Sequence, residues 1–89
     1  MYHYVYILKS IKAGEIYIGA TSDLRARYIM RNRGKIRSTK RYLPWKLIYY
    51  EAHPSKQSAF SREGYLKTGW GRRYINTILK KTESKSLGR

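Results

Sequence analysis

The chain has no cysteine, two histidines and five acidic residues among its 89. Each shortage excludes some chemistry. Without thiols there can be no disulfide scaffold, no thiolate zinc site and no cysteine nucleophile. His3 and His53 have no partner at ligand spacing, so both read as structural or solvated residues. The apolar runs are short, residues 5–8 and 47–50, far below the roughly 20 residues needed to cross a bilayer. The opening Met1-Tyr2-His3-Tyr4 has neither the charged segment nor the long apolar segment of a secretion signal. The glycines form no phosphate-cradling loop of the GxxxxGK type, which excludes an NTPase of that kind. A soluble, cytoplasmic domain with no membrane partner is the expectation.

Positive charge is what the chain has in abundance. Lys and Arg number 20 against 5 Asp and Glu, a net charge of +15. Such density points to a polyanion, because each cation that meets a phosphate releases condensed counterions. Nucleic acid is the first candidate and an acidic membrane surface the second. A hydrophobic content of 42% with ten tyrosines is more than a disordered basic tail carries, so the chain should fold. Its length permits one domain with a modest core.

Residues 2–9 are rich in aromatic and β-branched side chains and read as a strand. A turn over residues 10–14, with Gly14 free to take positive φ, leads to a second strand over 15–20 and an antiparallel hairpin. The cluster Thr21-Ser22-Asp23 caps a helix over 23–32 that stops at Gly34. Residues 35–43 read as a basic loop ended by Pro44, and 45–51 as a third strand. Pro54 and Ser55 introduce a helix over 56–67. Gly69 and Gly71 interrupt the chain before a last helix over 72–81. The order ββαβαα predicts an α+β fold: a three-stranded, mostly antiparallel sheet flanked by helices. Residues 1–81 form the single domain, and 82–89 a polar tail expected to be disordered.

Few polar groups remain for chemistry. Asp23 opens a helix, Glu15 borders a turn, Glu51 ends a strand and Glu83 lies in the tail. Glu63 differs, standing mid-helix beside the stripe marked by Ala59 and Leu66. A carboxylate there suits a hard divalent cation, or else an ordinary ion pair with Lys67 one turn on. Arg27 and Arg31 project side by side from the first helix, either around a phosphate or as a screened basic face. Tyr6 and Tyr17 face each other across the hairpin, as a packing pair or as something more.

Taken together, these residues resemble a known pattern. Tyr4-Val5-Tyr6 followed by Tyr17-Ile18-Gly19 is similar to the paired signature of the GIY-YIG endonuclease superfamily. Residues 21–27 resemble its next helix, with the family's arginine at Arg27. Residues 40–51 resemble its third strand with the preceding loop. Ala59-Phe60-Ser61-Arg62-Glu63-Gly64-Tyr65-Leu66-Lys67 resembles its A-x-x-R-E-x-x-L-K helix. The likeness is greatest to small stand-alone members, which are similar to the N-terminal domain of the excision-repair nuclease subunit UvrC. It implies a GIY-YIG-like fold and hydrolysis of DNA phosphodiesters with one divalent cation, Mg²⁺ or Mn²⁺, in DNA repair or recombination. Glu63 would hold the metal, Tyr6 and Tyr17 would bind or deprotonate the attacking water, and Arg27 would stabilise the pentavalent phosphate. Surrounding cations are expected to lower the tyrosine serving as base. Arg31, Lys35, Arg37, Lys40, Arg41 and Lys67 are the expected DNA contacts.

Departures from the pattern are Tyr4 at the first glycine and Arg31 where many relatives have histidine. Arginine is always charged and cannot act as a base. The alternative is therefore a catalytically silent relative that only binds nucleic acid. Some relatives carry a late asparagine near the site; Asn76 is set aside because the match loosens after Gly71.

Either reading requires DNA affinity to fall steeply between low and moderate salt, as for on the order of five or more phosphate contacts. A flat salt titration by fluorescence anisotropy would exclude a phosphate-tracking surface.

Overall fold

A computed structural model of the chain describes residues 1–34, 37 and 40–87. The first strand, β1 (His3–Ser10), occupies the middle of a three-stranded sheet. Its neighbours are β2 (Ile16–Thr21) and β3 (Trp45–His53), and both pairings are antiparallel. The central position explains why residues 5–8 are apolar without alternation. Val5 and Ile7 enter one hydrophobic cluster with Ile18, Ala59, Leu66 and Ile75, whereas Tyr6 and Leu8 enter another with Trp45. Strands buried on both faces read as continuous apolar runs. The order ββαβαα and the α+β class are as expected from the sequence.

Helix α1 (Leu24–Asn32) covers the Tyr6 face. Asp23 caps it, its carboxylate accepting from the Ala26 N–H at 3.1 Å. The far end is clamped to the start of β3. Asn32 donates to the Trp45 carbonyl at 3.0 Å and accepts from the Trp45 N–H at 2.7 Å. The Tyr28 hydroxyl donates to the same carbonyl at 3.1 Å. Beyond α1, Gly34 turns the chain with φ +72°, and Gly14 does the same in the hairpin with φ +71°. In the segment expected to be loop, the described residues include a 3-10 turn, Lys40–Tyr42. Its Tyr42 carbonyl accepts from the buried Ser10 hydroxyl at 2.6 Å.

The opposite face carries α2 (Lys56–Leu66) and α3 (Gly69–Leu87). Ser55 caps α2 by accepting from the Ser58 N–H at 3.1 Å. The last helix differs from expectation at both ends. Gly69 and Gly71 belong to its first turn, and it continues past Lys81 to Leu87. Residues 82–87 include no proline or glycine, so nothing in them interrupts the backbone hydrogen bonding of the helix. Gly71 is there for closeness rather than as an interruption. A Cβ at this position would overlap the Leu66 backbone and the Tyr65 carbonyl, where α3 passes α2.

One irregularity in β3 decides which side chains face which helices. Ile7 pairs with Tyr49 and Leu8 with Leu47, which leaves Ile48 as an extra residue. Such a bulge places two successive side chains on one side. Ile48 and Tyr49 both pack on the α2–α3 cluster, whereas Leu47 packs on the α1 side. Beyond the bulge the alternation is reversed, so Glu51 meets α2.

There Glu51 receives Arg62 through both carboxylate oxygens, with Nη2 to Oε2 at 2.9 Å and Nε to Oε1 at 3.0 Å. It also accepts from the Tyr49 hydroxyl at 2.7 Å and stands 3.0 Å from His53 Nε2. The Arg62 guanidinium lies over the rings of Tyr74 and Tyr65. Burial alone would push the Glu51 carboxyl up, but the hydrogen bonds from Arg62, Tyr49 and His53 outweigh it and bring it down to about 2. Tyr49 is pushed up by burial and by its bonds to Tyr74 and Glu51, so it remains a donor.

Two stability predictions arise from this packing. Gly71→Ala forces α2 and α3 apart and should cost about 3 kcal/mol in chemical denaturation, and an unchanged midpoint would contradict the close crossing. Glu51 is depressed in the fold, so its contribution is complete above its ordinary pKa of 4.5 and is lost as pH falls from there toward 2. Glu51→Gln should therefore flatten the acid limb of the stability profile over that window, by on the order of 2 kcal/mol. Equal slopes in both proteins would show that the network does not hold Glu51 ionised.

Candidate active site

The hairpin brings the two tyrosines onto the α1 face as a diagonal pair, not as direct partners. Tyr6 stands opposite Gly19 and Tyr17 opposite Leu8. Their ring centroids are 6.2 Å apart, within the reach of diagonal aromatic neighbours. Gly19 makes room for this arrangement, because a Cβ there would fall 2.5 Å from the Tyr6 hydroxyl oxygen. The ring is 0% exposed and has no space to yield. The glycine that ends the second triplet thus exists for the tyrosine in the first.

Helix α1 brings its arginines over the pair. Arg31, only 6% exposed, donates from Nη2 to the Tyr17 hydroxyl. Its guanidinium carbon lies 3.9 Å from the Tyr17 ring centroid. It therefore sits inside the site, away from the exposed basic surface where the sequence suggested a DNA contact. The Tyr6 hydroxyl is buried and completes no hydrogen bond of good geometry among the described residues, although Arg31 stands close enough to act on it. Burial pushes its pKa up, as does proximity to Tyr17, while Arg31 and Arg27 pull it down and lose. The expectation that surrounding cations would lower a tyrosine fails at Tyr6, because a buried phenol loses more by desolvation than two arginines restore.

Glu63 lies on α2, across the sheet. Its Oε2 accepts from Lys67 Nζ at 2.9 Å, so the ion pair one helical turn long is formed. The carboxylate is 23% exposed and Oε1 accepts no hydrogen bond among the described residues. No group of three His, Asp or Glu side chains stands together among the described residues. One accessible carboxylate nonetheless fits a Mg²⁺-type ion, which keeps several waters and takes one or two carboxylates plus substrate phosphates.

Tyr17 also borders the free edge of β2. A groove of about 380 Å³ runs there, lined by Tyr17 on one side and by Lys67, Arg72 and Asn76 on the other. Asn76, set aside on sequence, stands in this groove. Arg37, Lys40, Arg41 and Lys67 are exposed, although Arg41 also donates to the Tyr42 hydroxyl at 2.9 Å. Lys35 lies outside the described residues. The Glu51–Arg62 clamp that orients α2, and with it Glu63, was missed by sequence reasoning. Its one sequence signal is an arginine directly before the motif glutamate.

No helix among the described residues is long and apolar enough to cross a membrane. A family model described as the GIY-YIG catalytic domain matches residues 2–78. A UPF0213 protein of Streptococcus pneumoniae serotype 4 is 43% identical over 65 residues, covering 72% of this chain and 65% of its own length. Another, from Staphylococcus epidermidis, is 40% identical over 67 residues, covering 74% of this chain and 80% of its own. The solution NMR structure of a UPF0213 protein from Bacillus halodurans aligns with TM-score 0.53 at 31% identity, covering 88% of this chain and 85% of that one. The tyrosine pair, the helix glutamate and their order along 77 matched residues place the chain in the GIY-YIG nuclease family.

Proposed function

We propose that this protein is an endonuclease that hydrolyses DNA phosphodiester bonds with one divalent cation, Mg²⁺ or Mn²⁺. The observation that carries the reading is the Tyr6 hydroxyl, buried without a hydrogen bond of good geometry beside Tyr17, Arg31 and Arg27. A buried polar group so poorly matched costs free energy and calls for a ligand atom to complete it. A water or a phosphate oxygen would do so.

In this reading Tyr6, held as a neutral phenol, binds and orients the attacking water. Tyr17, whose hydroxyl accepts from Arg31, takes the proton. Arg31 thus positions Tyr17 where many relatives use histidine. Arg27 faces the charge that builds on the phosphoryl oxygens. Glu63 holds the cation, with Lys67 as its place-holder when the cation is absent. When bound, the cation neutralises charge on the leaving 3′ oxygen. Arg37, Lys40, Arg41 and Lys67 track the backbone, with Lys35 added on sequence grounds. A role in repair or recombination rests on the family resemblance alone.

The second reading, a silent relative that only binds nucleic acid, is favoured by one observation: the Glu63–Lys67 pair is complete without a metal.

The deciding experiment is cleavage of supercoiled plasmid, single strands and branched junctions in Mg²⁺ or Mn²⁺, with wild type and Glu63→Ala. Metal-dependent cutting should appear on at least one substrate and fall by about 10² or more in the variant. Equal cutting by the variant would remove Glu63 as the ligand. No cutting, with salt-sensitive binding intact, would establish the silent relative.

A further inference from the structure

On the α1 side of the sheet, beyond Tyr6, an open cavity of about 520 Å³ is lined by Tyr4, Leu24, Tyr28, Leu47, Tyr50 and Arg25. We propose that it receives one unpaired nucleobase of the nucleic-acid substrate, stacked on Tyr50. The proposal rests on the nuclease reading for the identity of the strand, and it adds where that strand must be unpaired.

Chemistry selects the occupant. In a chain of net charge +15, most surfaces suit phosphate, whereas this cavity is walled by rings and leucines. The one carboxylate on its wall, Asp23, is turned to the Ala26 N–H as a helix cap. The Tyr28 hydroxyl is engaged by the Trp45 carbonyl, which leaves its ring as an apolar wall. Tyr4 and Tyr50 meet edge to face with centroids 6.1 Å apart, so a ring face remains open. Tyr50 is 55% exposed, and it faces this side because the Ile48 bulge reverses the alternation of β3. A flat, uncharged aromatic ligand fits these walls, and every base offers a π-face for such stacking. The exposed Arg25 on the rim suits the phosphate attached to that base.

Position supports the same occupant. Tyr4 and Tyr6 point to the same face of β1, two residues or about 7 Å apart. A base held by Tyr4 and Tyr50 would therefore bring its backbone toward Tyr6, Tyr17 and Arg27.

The test is equilibrium binding without divalent metal, using three fluorescent probes. These are a short single strand carrying one 2-aminopurine, a duplex with one bulged 2-aminopurine, and a fully paired duplex. Wild type should quench 2-aminopurine fluorescence in the first two. Tyr50→Ala should weaken their binding about tenfold or more, leave the paired duplex unchanged, and be rescued by Tyr50→Phe. Absence of quenching by wild type overturns the proposal, whether or not the variants fold. So does an equal loss on all three probes, or a variant whose only change is weaker self-association, which would assign the face to protein contact. Tyr50-dependent single-strand binding without cleavage of any substrate would uphold the base pocket while removing the nuclease reading. Metal-dependent cleavage with no Tyr50 dependence in binding would do the reverse.

Discussion

Everything in this fold depends on β1 being covered on both faces. A strand of eight residues sends Val5 and Ile7 to one helical layer and Tyr6 and Leu8 to the other, and so holds the two halves of the core together. In a chain this small such double use of one strand is what makes two hydrophobic clusters possible. The same burial has a chemical consequence. It buries the Tyr6 hydroxyl and holds the phenol in its neutral form against the pull of two arginines. A residue central to the packing is therefore also one whose polar atom the fold leaves poorly matched.

The candidate residues stand on elements from both faces of the sheet, which the core holds separately. Helix α1 brings Arg27 and Arg31 to the tyrosines, and its tilt is set by Asn32 and Tyr28 gripping the Trp45 peptide. Helix α2 brings Glu63 from the other side, and its angle is set by Arg62 gripping Glu51 and by Gly71 letting α3 approach. Each helix thus has a neutral or charged clamp next to the residue that chemistry would use. A bidentate arginine–carboxylate pair suits that task because its geometry is fixed in direction as well as distance. The Glu51–Arg62 pair lies on the opposite face of the sheet from the tyrosine pair, whereas Tyr28 and Trp45 pack in the same cluster as Tyr6 and Tyr17.

Arg31 shows how one side chain can change meaning between sequence and structure. As one of two arginines a helical turn apart it resembled a surface cation. Buried against Tyr17 it instead donates to that hydroxyl and covers its ring. Burial makes the difference, because a guanidinium removed from water interacts far more strongly with the group it touches.

The sequence by itself determined the strands, the caps, the helix order and the tyrosine and glutamate motif, because these depend on local propensity and short spacing. The hairpin followed from β-branched and aromatic residues on either side of Gly14, and the first two helices from Asp23 and Ser55 as caps. The Glu63–Lys67 pair was also legible, since residues four apart on a helix must meet. Tertiary structure alone decided the Ile48 bulge, which chose the faces of Tyr50 and Glu51, and the pairing of Glu51 with Arg62 eleven residues away. It also decided the close crossing at Gly71, the burial of Arg31 and the place of Asn76 in the groove. Those features arise from which surfaces the sheet and helices bring together, and no pattern within a single element encodes that.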